Sequence, residues 1–396
     1  MTTETAPTSA RQSTLRASNL ALVARTVCAS ARPLSRADVA AATSMTRATA
    51  SRLVDELVAA GVLGETEPGT AAGRGRPATP LVPGSGPAAL GLQINAGFIA
   101  VRVIDLRGRV AAETLEYGDL VGSDPLRTLA RLGELSARVL DGLPAGLRLV
   151  GAGLALPGIV SGDTLLRAPN LGWSDVRAAD LLGGRALRGL PLTVDNEASL
   201  AARTVAELAP GRPGPFADFV YLSGEIGIGG AAVLGGEVMR GRHGWAGEIG
   251  HVCVDPAGPA CRCGSTGCLE TYLGRDALLA AAGLTSESSL AQLAELAHGG
   301  DARASTALSA SARALAVALG GVINVLDIPT VVLGGHLAHL VKALRPELEE
   351  QLRARVLSAR WTPPRIQAAE PVPAPGATGA AYRELAAVLA DPVRWL

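Results

Sequence analysis

The sequence contains no run of about twenty apolar residues, which is the length that a transmembrane helix needs, so it predicts no membrane span. Lysine is nearly absent: Lys342 is the single lysine among 36 Lys and Arg residues, which suggests a GC-rich genome rather than a function. The five cysteines come without a segment that resembles a signal peptide, so a disulfide framework is not expected. We therefore expect a cytoplasmic protein that does not interact with a membrane.

The formal net charge of the chain is +0, but the charge is unevenly placed. Residues 1–83 hold 9 Arg against 6 Asp and Glu, whereas the remainder holds 27 basic and 30 acidic residues. With 396 residues, of which 48% are hydrophobic and 18% charged, the chain is long enough for two or three domains with cores. Basic charge at the N-terminus is compatible with a nucleic-acid partner there.

Four of the five cysteines lie in residues 248–270. One histidine and three of these cysteines have the spacing of a tetrahedral Cys3His zinc site: His251, Cys261, Cys263 and Cys268. The alternatives are a disulfide loop or scattered core cysteines, and Cys261 and Cys263 are too close in sequence to pair comfortably. Because protein side chains fill all four positions, we expect a structural Zn²⁺, with Cys253 outside the site.

The same segment resembles the signature of the ROK family, a group of repressors, open reading frames and sugar kinases. The matching residues are Glu248-Ile-Gly-His251, followed by Cys261-x-Cys263-Gly-x-x-Gly-Cys268-Leu-Glu270. The resemblance implies that the histidine and the three cysteines bind zinc. It also implies that Glu248, His251 and Glu270 contact sugar hydroxyl groups, and it extends over roughly the last three quarters of the chain.

The N-terminal part has a different pattern. Residues 1–15 lack a hydrophobic period and are predicted to be a disordered tail. Helical spacing follows over residues 18–30, then a short helix over 36–42 with Ser35 as N-cap, and a longer helix from the cap Thr46 to Ala60. With the pairs Val62-Leu63 and Leu81-Val82 as a hairpin, residues 16–83 predict a winged helix-turn-helix, and residues 84–87 a linker.

In such a domain the third helix reads the major groove and the wing reaches the flanking minor groove. The residues expected to contact double-stranded operator DNA are Thr46, Arg47, Thr49, Ser51, Arg52, Arg74 and Arg76. The alternative is an ordinary three-helix interaction domain with a solvated arginine loop.

The remaining chain alternates strands and helices. Strands are predicted over 89–94, 99–104, 149–156 and 330–333, and helices over 126–140, 313–325 and 377–389. This order resembles the two-lobed actin-like ATPase fold of ROK proteins, an α/β fold. The resemblance places the first lobe at 88–195 plus 376–396, and the second lobe, with the zinc and sugar sites, at 196–375.

Two motifs depart from the pattern of ROK sugar kinases. Their phosphate loop reads Asp-x-Gly-Gly-Thr, and the matching residues here are Gln93-Ile-Asn95-Ala-Gly97, so the carboxylate, both loop glycines and the hydroxyl are missing. Their catalytic base is the Asp of an Asn-Asp pair, which reads Asn196-Glu197 here. Phosphoryl transfer depends on positioning and charge neutralisation, so we expect no kinase activity, while Asn196 and Glu197 remain to bind sugar.

The leading hypothesis is a sugar-responsive transcriptional regulator, expected to be a repressor, that binds operator DNA and a sugar or sugar phosphate. A single helix-turn-helix buries little surface, so we expect a homodimer or homotetramer. The second hypothesis is an ATP-dependent sugar kinase with an appended DNA-binding domain. The third is a regulator whose effector is a partner protein and whose sugar site is vestigial.

Overall fold

The computed structural model describes residues 8–67, 79–182 and 186–396. Residues 1–7 of the predicted tail, and Arg74 and Arg76 of the predicted wing, lie outside the described residues. The DNA contacts predicted for these two arginines therefore stay predictions.

The N-terminal region consists of three helices and a two-stranded antiparallel sheet. Its elements are α1 (Thr8–Ala29), α2 (Arg36–Thr43), α3 (Arg47–Ala59), β1 (Leu63–Glu65) and β2 (Leu81–Pro83). Helix α2 begins with a capping box in which the Ser35 and Asp38 side chains each bond the other residue's backbone N–H. Helix α3 begins at Thr46, whose side chain accepts from the Thr49 N–H.

Helix α1 starts at Thr8, so the prediction of a disordered tail over residues 1–15 is wrong for residues 8–15. Leu15 is 62% exposed, and the Ser13 and Thr14 side chains also face solvent. A helix that extends into solvent needs no apolar stripe, so hydrophobic periodicity cannot reveal it. Further along the helix, the side chains of Leu20, Val23 and Val27 are buried in a core.

The linker predicted at 84–87 is not a free spacer. The Gly84 N–H donates to the Val62 carbonyl at 2.9 Å, and the Gly86 N–H donates to the Gly61 carbonyl at 3.3 Å. A Cβ atom on Gly84 would lie 1.9 Å from the Gly61 oxygen, so only glycine permits this approach. Pro87 already belongs to the next strand, and the N-terminal region is therefore packed directly onto the first lobe.

The first lobe is built on a five-stranded sheet of order β10-β6-β3-β4-β5, with α4 packed against it. Its elements are β3 (Pro87–Ile94), β4 (Phe98–Asp105), β5 (Val110–Tyr117), α4 (Pro125–Asp141), β6 (Arg148–Leu156), β7 (Ile159–Ser161), β8 (Thr164–Ala168), β9 (Trp173–Arg177), α5 (Ala178–Leu182), β10 (Leu192–Asn196) and α6 (Glu197–Ala206). Strands β7, β8 and β9 form a small antiparallel sheet that the sequence did not predict.

The second lobe carries a five-stranded sheet of order β15-β14-β13-β16-β17. The elements from residue 207 onward are β11 (Glu207–Ala209), β12 (Arg212–Pro213), β13 (Phe219–Gly224), β14 (Ile228–Leu234), β15 (Glu237–Val238), a 3-10 turn (Ile249–His251), α7 (Glu270–Leu273), α8 (Arg275–Ala281), α9 (Leu290–His298), α10 (Ala302–Leu326), β16 (Thr330–Gly335), α11 (Leu337–Arg355) and β17 (Arg365–Ala368). The two large sheets follow the predicted lobes, whose exact limits stay a prediction.

Helix α10 begins at Ala302, eleven residues before the predicted start, because the Asp301 side chain caps it by accepting from the Ala304 N–H. One described helix, this one, is long and apolar enough to cross a membrane by length and composition. However, 61% of its most apolar window is buried inside the protein, where Leu315 and Leu319 join the core of the second lobe.

The last long helix, α12 (Pro375–Ala390), returns to the first lobe and packs on β3, β6 and α6. A short 3-10 turn (Pro392–Trp395) follows it. At its C-terminal end, Leu385, Val388 and Leu389 share one buried cluster with Leu20 and Val23 of α1. The N-terminal helices and the first lobe thus have a common core, with α12 between them.

Candidate functional site

A cleft opens where the described parts of the two lobes meet. All five residues that the sequence predicted for sugar binding line it: Asn196, Glu197, Glu248, His251 and Glu270. The first pair stands at the junction of β10 and α6, and the other three come from the 3-10 turn and the start of α7. The fold therefore brings together residues that lie up to 74 positions apart in the chain.

Asn196 is largely committed to the protein itself. Its Oδ1 accepts from the Ser199 N–H at 3.0 Å as the N-cap of α6, and its Nδ2 donates to the Gly158 carbonyl at 2.9 Å. One amide hydrogen remains to face the cleft. The sequence predicted that Asn196 binds the sugar. Its two hydrogen bonds show that it also positions the end of β6 against α6.

Glu197 is held by two amide side chains at the end of β3, a strand of the same sheet as β10. Its Oε1 accepts from Gln93 Nε2 at 2.7 Å and from Asn95 Nδ2 at 3.2 Å. Both amide side chains are buried, with exposures of 1% and 2%. The sequence analysis noted Gln93 and Asn95 only because they differ from the phosphate loop of the kinases. In the structure, both side chains fix the Glu197 carboxyl group, at the position where the resemblance places the kinase base.

The loop between β3 and β4 is closed by the Asn95 side chain. Its Oδ1 accepts from the backbone N–H groups of Gly97 at 2.8 Å and Phe98 at 3.0 Å. A phosphate cradle needs backbone N–H groups that point at the ligand. Since Asn95 occupies these two amides, they are not free to bind a phosphate.

Burial raises the pKa of Glu197 from 4.5 to about 8, and the nearby Glu225 carboxyl adds to this rise. Burial likewise raises the pKa of Glu225 to about 7. A raised folded-state pKa means that the folded protein binds the proton more tightly than the unfolded chain. The stability from this proton is fully present below about pH 4.5 and is lost as pH rises through about 8.

We therefore expect the thermal unfolding midpoint to fall between pH 6 and pH 9, and Glu197→Gln to reduce this fall, because an amide has no proton to lose. One proton changes the free energy of unfolding by at most about 1.4 kcal/mol per pH unit. The measurement is thermal unfolding at several pH values, with Glu350→Gln as control, since Glu350 is an exposed glutamate of α11. An equally steep fall in wild type and Glu197→Gln would contradict the prediction.

Glu270 is oriented by two donors. Its Oε2 accepts from the Ile228 N–H at 2.9 Å and from Asn170 Nδ2 at 3.3 Å. A Cβ atom on Gly227 would lie 2.2 Å from Glu270 Oε2, so glycine is required at this close approach. Asn170 comes from the loop between β8 and β9 of the first lobe, and the sequence analysis missed it because no local pattern distinguishes it.

His251 faces two ways. Its Nε2 lies 4.0 Å from Glu248 Oε2 in the cleft, and its Nδ1 lies 3.7 Å from Cys261 Sγ. Burial raises the pKa of Glu248. One imidazole ring thus belongs to both the cleft and the cysteine cluster behind it.

The four predicted metal ligands converge in the structure. Their ligand atoms all lie within 4.8 Å of one another, and Cys263 Sγ lies 3.7 Å from Cys268 Sγ. Ligands about 2.0–2.3 Å from a tetrahedral ion would be roughly 3.6–3.8 Å apart, whereas a disulfide bond is about 2.05 Å long. The cluster can therefore hold a metal ion. Cys253 is exposed and does not belong to it.

The turn between β13 and β14 supplies a further carboxyl group that the sequence analysis missed. Glu225 lines the cleft, and a Cβ atom on Gly335, at the end of β16, would lie 2.9 Å from its Oε1. Glu225 therefore lies beside Gly335, at the end of β16. The one available signal was a charged residue within a glycine-rich turn.

In the N-terminal region, Arg47 and Arg52 are exposed at the start of α3, and Ser51 is half-buried between them. The acidic residues of this helix are neutralised, since Asp55 pairs with Arg36 and Glu56 with Arg16. Thr46 and Thr49 bond each other, with 2.9 Å between their hydroxyl oxygens, as part of the N-cap. The predicted DNA-contacting residues within the described part thus lie together at one end of α3.

Comparison with known proteins identifies relatives that are transcriptional regulators and relatives that are sugar kinases. A xylose repressor of Caldicellulosiruptor bescii is 32% identical over 252 residues, which are 62% of this chain and 61% of that repressor. The chain thus spans about three fifths of that relative's length. A solved ROK family transcriptional regulator, a homologue of the Escherichia coli Mlc protein, is 25% identical and covers 95% of this chain and 99% of its own, with a TM-score of 0.74.

A ROK family glucokinase from Streptomyces griseus, solved with glucose and AMPPNP, also matches. It is 25% identical and covers 74% of this chain and 98% of its own, with a TM-score of 0.61. The fold is thus the α/β actin-like fold of these kinases, preceded by a helical region. The ROK family profile matches residues 130–386, and the chain belongs to the ROK family.

Proposed function

We propose that this protein is a sugar-responsive transcriptional regulator, acting as a repressor, whose N-terminal region binds operator DNA and whose cleft binds a sugar. The likeness to a ROK transcriptional regulator carries this proposal, because it covers 95% of the chain, whereas the glucokinase match covers 74%. A relative that is a xylose repressor supports it. Localisation in the cytoplasm follows from this function.

The N-terminal region serves as a winged helix-turn-helix in this proposal. Helix α2 and the tight turn at Ser44 set α3 so that Arg47, Ser51 and Arg52 face outward, and β1 and β2 form the base of the wing. Arginine forks suit guanine edges, and the hydroxyl groups suit bases or phosphates. Each chain reads one half-site, so the regulator acts as a homodimer or a larger symmetric assembly.

We assign a structural Zn²⁺ to His251, Cys261, Cys263 and Cys268. The three-sulfur, one-nitrogen donor set and the tetrahedral spacing support this ion. Since His251 Nδ1 faces the cluster, its Nε2 is directed to the cleft. The ion would hold this ring in one orientation and fix the backbone that leads to Glu270.

The sugar lies among Glu248, His251 and Glu270 in this proposal, with Asn196 and Glu197 at the wall formed by α6. Carboxylates that accept pairs of hydroxyl hydrogen bonds are strong ligands for a polyol, since bonds to charged partners contribute about 1.5–3 kcal/mol each. Glu270 already has its orientation from Ile228 and Asn170, so one oxygen is left for the ligand.

The cleft is proposed to be inactive as a kinase, and the closed loop at Asn95 is the main support. Its two amides are already bonded, and none of the described residues lining the cleft is Lys or Arg. Phosphoryl transfer relies on cations and amides that neutralise the phosphates. Because a glucokinase is among the relatives, a sugar kinase with a DNA-binding domain is the second candidate function.

Two measurements test the function. A thermal-shift screen with simple sugars should raise the unfolding midpoint for at least one of them, since a ligand at 100 times its dissociation constant stabilises by about 2.7 kcal/mol. Operator affinity should change when this sugar is added. ATP-dependent phosphorylation of the same sugar, lost in Glu197→Gln, would instead establish the kinase, and calorimetry that detects no sugar would favour a protein effector.

We expect Glu248→Ala or Glu270→Ala to weaken sugar binding by about ten-fold or more, because each removes a charged hydrogen-bond partner. Operator affinity without sugar should change little, since both residues lie in the second lobe. Isothermal calorimetry and fluorescence anisotropy measure the two affinities. Glu287→Ala, which removes an exposed carboxyl group in the same lobe, is the control. Unchanged sugar affinity in both variants would remove these residues from the site.

A further inference from the structure

Four carboxyl side chains line the cleft: Glu197, Glu225, Glu248 and Glu270. They come from four different segments and surround the space from the α6 wall to the β13–β14 turn. The sequence motifs accounted for three of them, and Glu225 adds the fourth at the end next to β16.

The arginines nearest to the cleft are engaged elsewhere. Arg240 and Arg383 both bond Asp195 Oδ2, at 2.8 and 2.7 Å, and this aspartate is buried behind the cleft. Arg262 donates to Asn170 Oδ1 at 3.3 Å and lines an adjoining depression that shares Asn170 and Glu270 with the cleft. Among the described residues that line the cleft itself, none is Lys or Arg, and His251 Nε2 lies 4.0 Å from Glu248 Oε2.

An anionic ligand would find no Lys or Arg side chain in the described lining of the cleft to offset its charge, and any ionised carboxyl group beside it would repel it. A neutral polyol meets hydrogen-bond acceptors instead. We infer that the effector is an uncharged sugar and that the cleft discriminates against sugar phosphates and sugar acids. This inference rests on the proposed sugar-sensing function.

The test uses the zinc-loaded full chain and matched ligand pairs in calorimetry: glucose, mannose and N-acetylglucosamine with their 6-phosphates, and xylose as a further neutral sugar. At least one neutral sugar should bind, and the phosphorylated partner of each should bind at least ten-fold more weakly or not at all. A 6-phosphate that binds as tightly as its neutral partner overturns this inference while leaving sugar sensing intact. Failure of every ligand to bind overturns the sugar-sensing function as well.

A variant makes the test specific to charge. At pH 8.5, above the raised pKa of about 7 of the Glu225 carboxyl group, Glu225→Gln should narrow the preference for a neutral sugar over its phosphate, because it removes one negative charge and keeps the shape. Glu287→Gln, at an exposed position, should leave the preference as in wild type. An identical preference in wild type and Glu225→Gln would count against repulsion as the cause.

A second observation concerns the Gln93 side chain, whose two ends bond two different elements. Its Nε2 donates to Glu197 in the cleft at 2.7 Å, and its Oε1 accepts from the Ala377 N–H in the first turn of α12 at 3.0 Å. A Cβ atom on Gly376 would lie 2.8 Å from the Gln93 amide carbon, so the backbone at the start of the helix packs closely against this side chain.

Helix α12 has 16 residues, about 24 Å of helix, and its other end lies in the core that contains Leu20 and Val23 of α1. A ligand that moves Glu197 would shift or break its hydrogen bond to Gln93, and a shift of the Gln93 side chain would disturb the bond that the Ala377 N–H donates to it at the start of this helix. We propose that Gln93 is a positioning residue that couples the cleft, through α12, to the N-terminal helices. This proposal also rests on the proposed function.

Gln93→Met keeps the length of the side chain and removes both hydrogen bonds. The readout is the ratio of operator affinities with and without saturating sugar, which measures the coupling between the two sites. We expect the ratio to move at least five-fold toward one, while each ligand alone still binds. A purely structural role would lower the unfolding midpoint and leave the ratio unchanged, and that result would overturn the proposal. A wild-type ratio of one would overturn the sensing function itself.

Discussion

Replacing Arg47 and Arg52 together by alanine is expected to reduce operator affinity by about 30-fold to 10⁴-fold. Each arginine that reads a base contributes about 1–3 kcal/mol, and 1.4 kcal/mol corresponds to ten-fold. Both side chains are exposed at the N-terminal end of α3, while the acidic residues of that helix are paired with Arg16 and Arg36. The variant should fold normally, since neither side chain enters the core.

The measurement is fluorescence anisotropy with duplex DNA that the wild-type protein selects from a random library, at fixed salt concentration. Arg353→Ala is a matched control, because Arg353 is exposed on α11 and pairs with Glu349 four residues away, as Arg52 pairs with Glu56. Near-wild-type affinity in the double variant would exclude α3 as the reading helix. Deleting residues 1–83 is a poor substitute, because it would expose the Leu385 and Val388 side chains.

Cys263→Ser is expected to remove zinc and sugar binding together. A structural zinc site contributes folding free energy directly, and a serine hydroxyl does not replace a thiolate ligand. Because His251 belongs to both the cluster and the cleft, and Glu270 follows Cys268 by two residues, loss of the ion should disorder the sugar ligands. We expect zinc to fall from one ion per chain to less than one tenth.

Metal analysis by mass spectrometry, thermal unfolding and sugar calorimetry together measure this effect. Cys253→Ser is the matched control, since Cys253 is an exposed cysteine of the same segment outside the cluster. Full zinc occupancy in Cys263→Ser, or zinc below half an equivalent in the wild-type protein, would refute the zinc assignment. Loss of zinc with intact sugar binding would refute only the link between the two sites.

Local chemistry made much of this structure predictable from the sequence. The Ser35 and Thr46 caps mark α2 and α3 because a cap depends on residues within one turn. The metal cluster was predictable for a similar reason, since three of its four ligands lie within eight residues. The predicted strands and helices of the lobes followed from hydrophobic periodicity, which reports a buried face.

The contacts that shape the cleft were not predictable in this way. Gln93 bonds Glu197 across 104 residues, and Asn170 bonds Glu270 across 100 residues. The first pair arises only when the sheet of the first lobe brings β3 close to the start of α6, and the second only when the two lobes pack together, so no spacing in the sequence encodes either pair. Residues 13–15 of α1 were missed for the opposite reason, because exposed side chains leave no apolar period.

The position of α12 also sets an order of events during synthesis. The Ala377 N–H bonds Gln93 across 284 residues, and at translation rates of about 5–20 residues per second the ribosome needs roughly 15–60 s between these positions. Until α12 emerges, β3 and β6 lack their covering helix, and Leu20 of α1 lacks its partners Leu385 and Val388. Until α12 is synthesised, the nascent chain therefore exposes the apolar surfaces of β3, β6 and α1 that this helix covers.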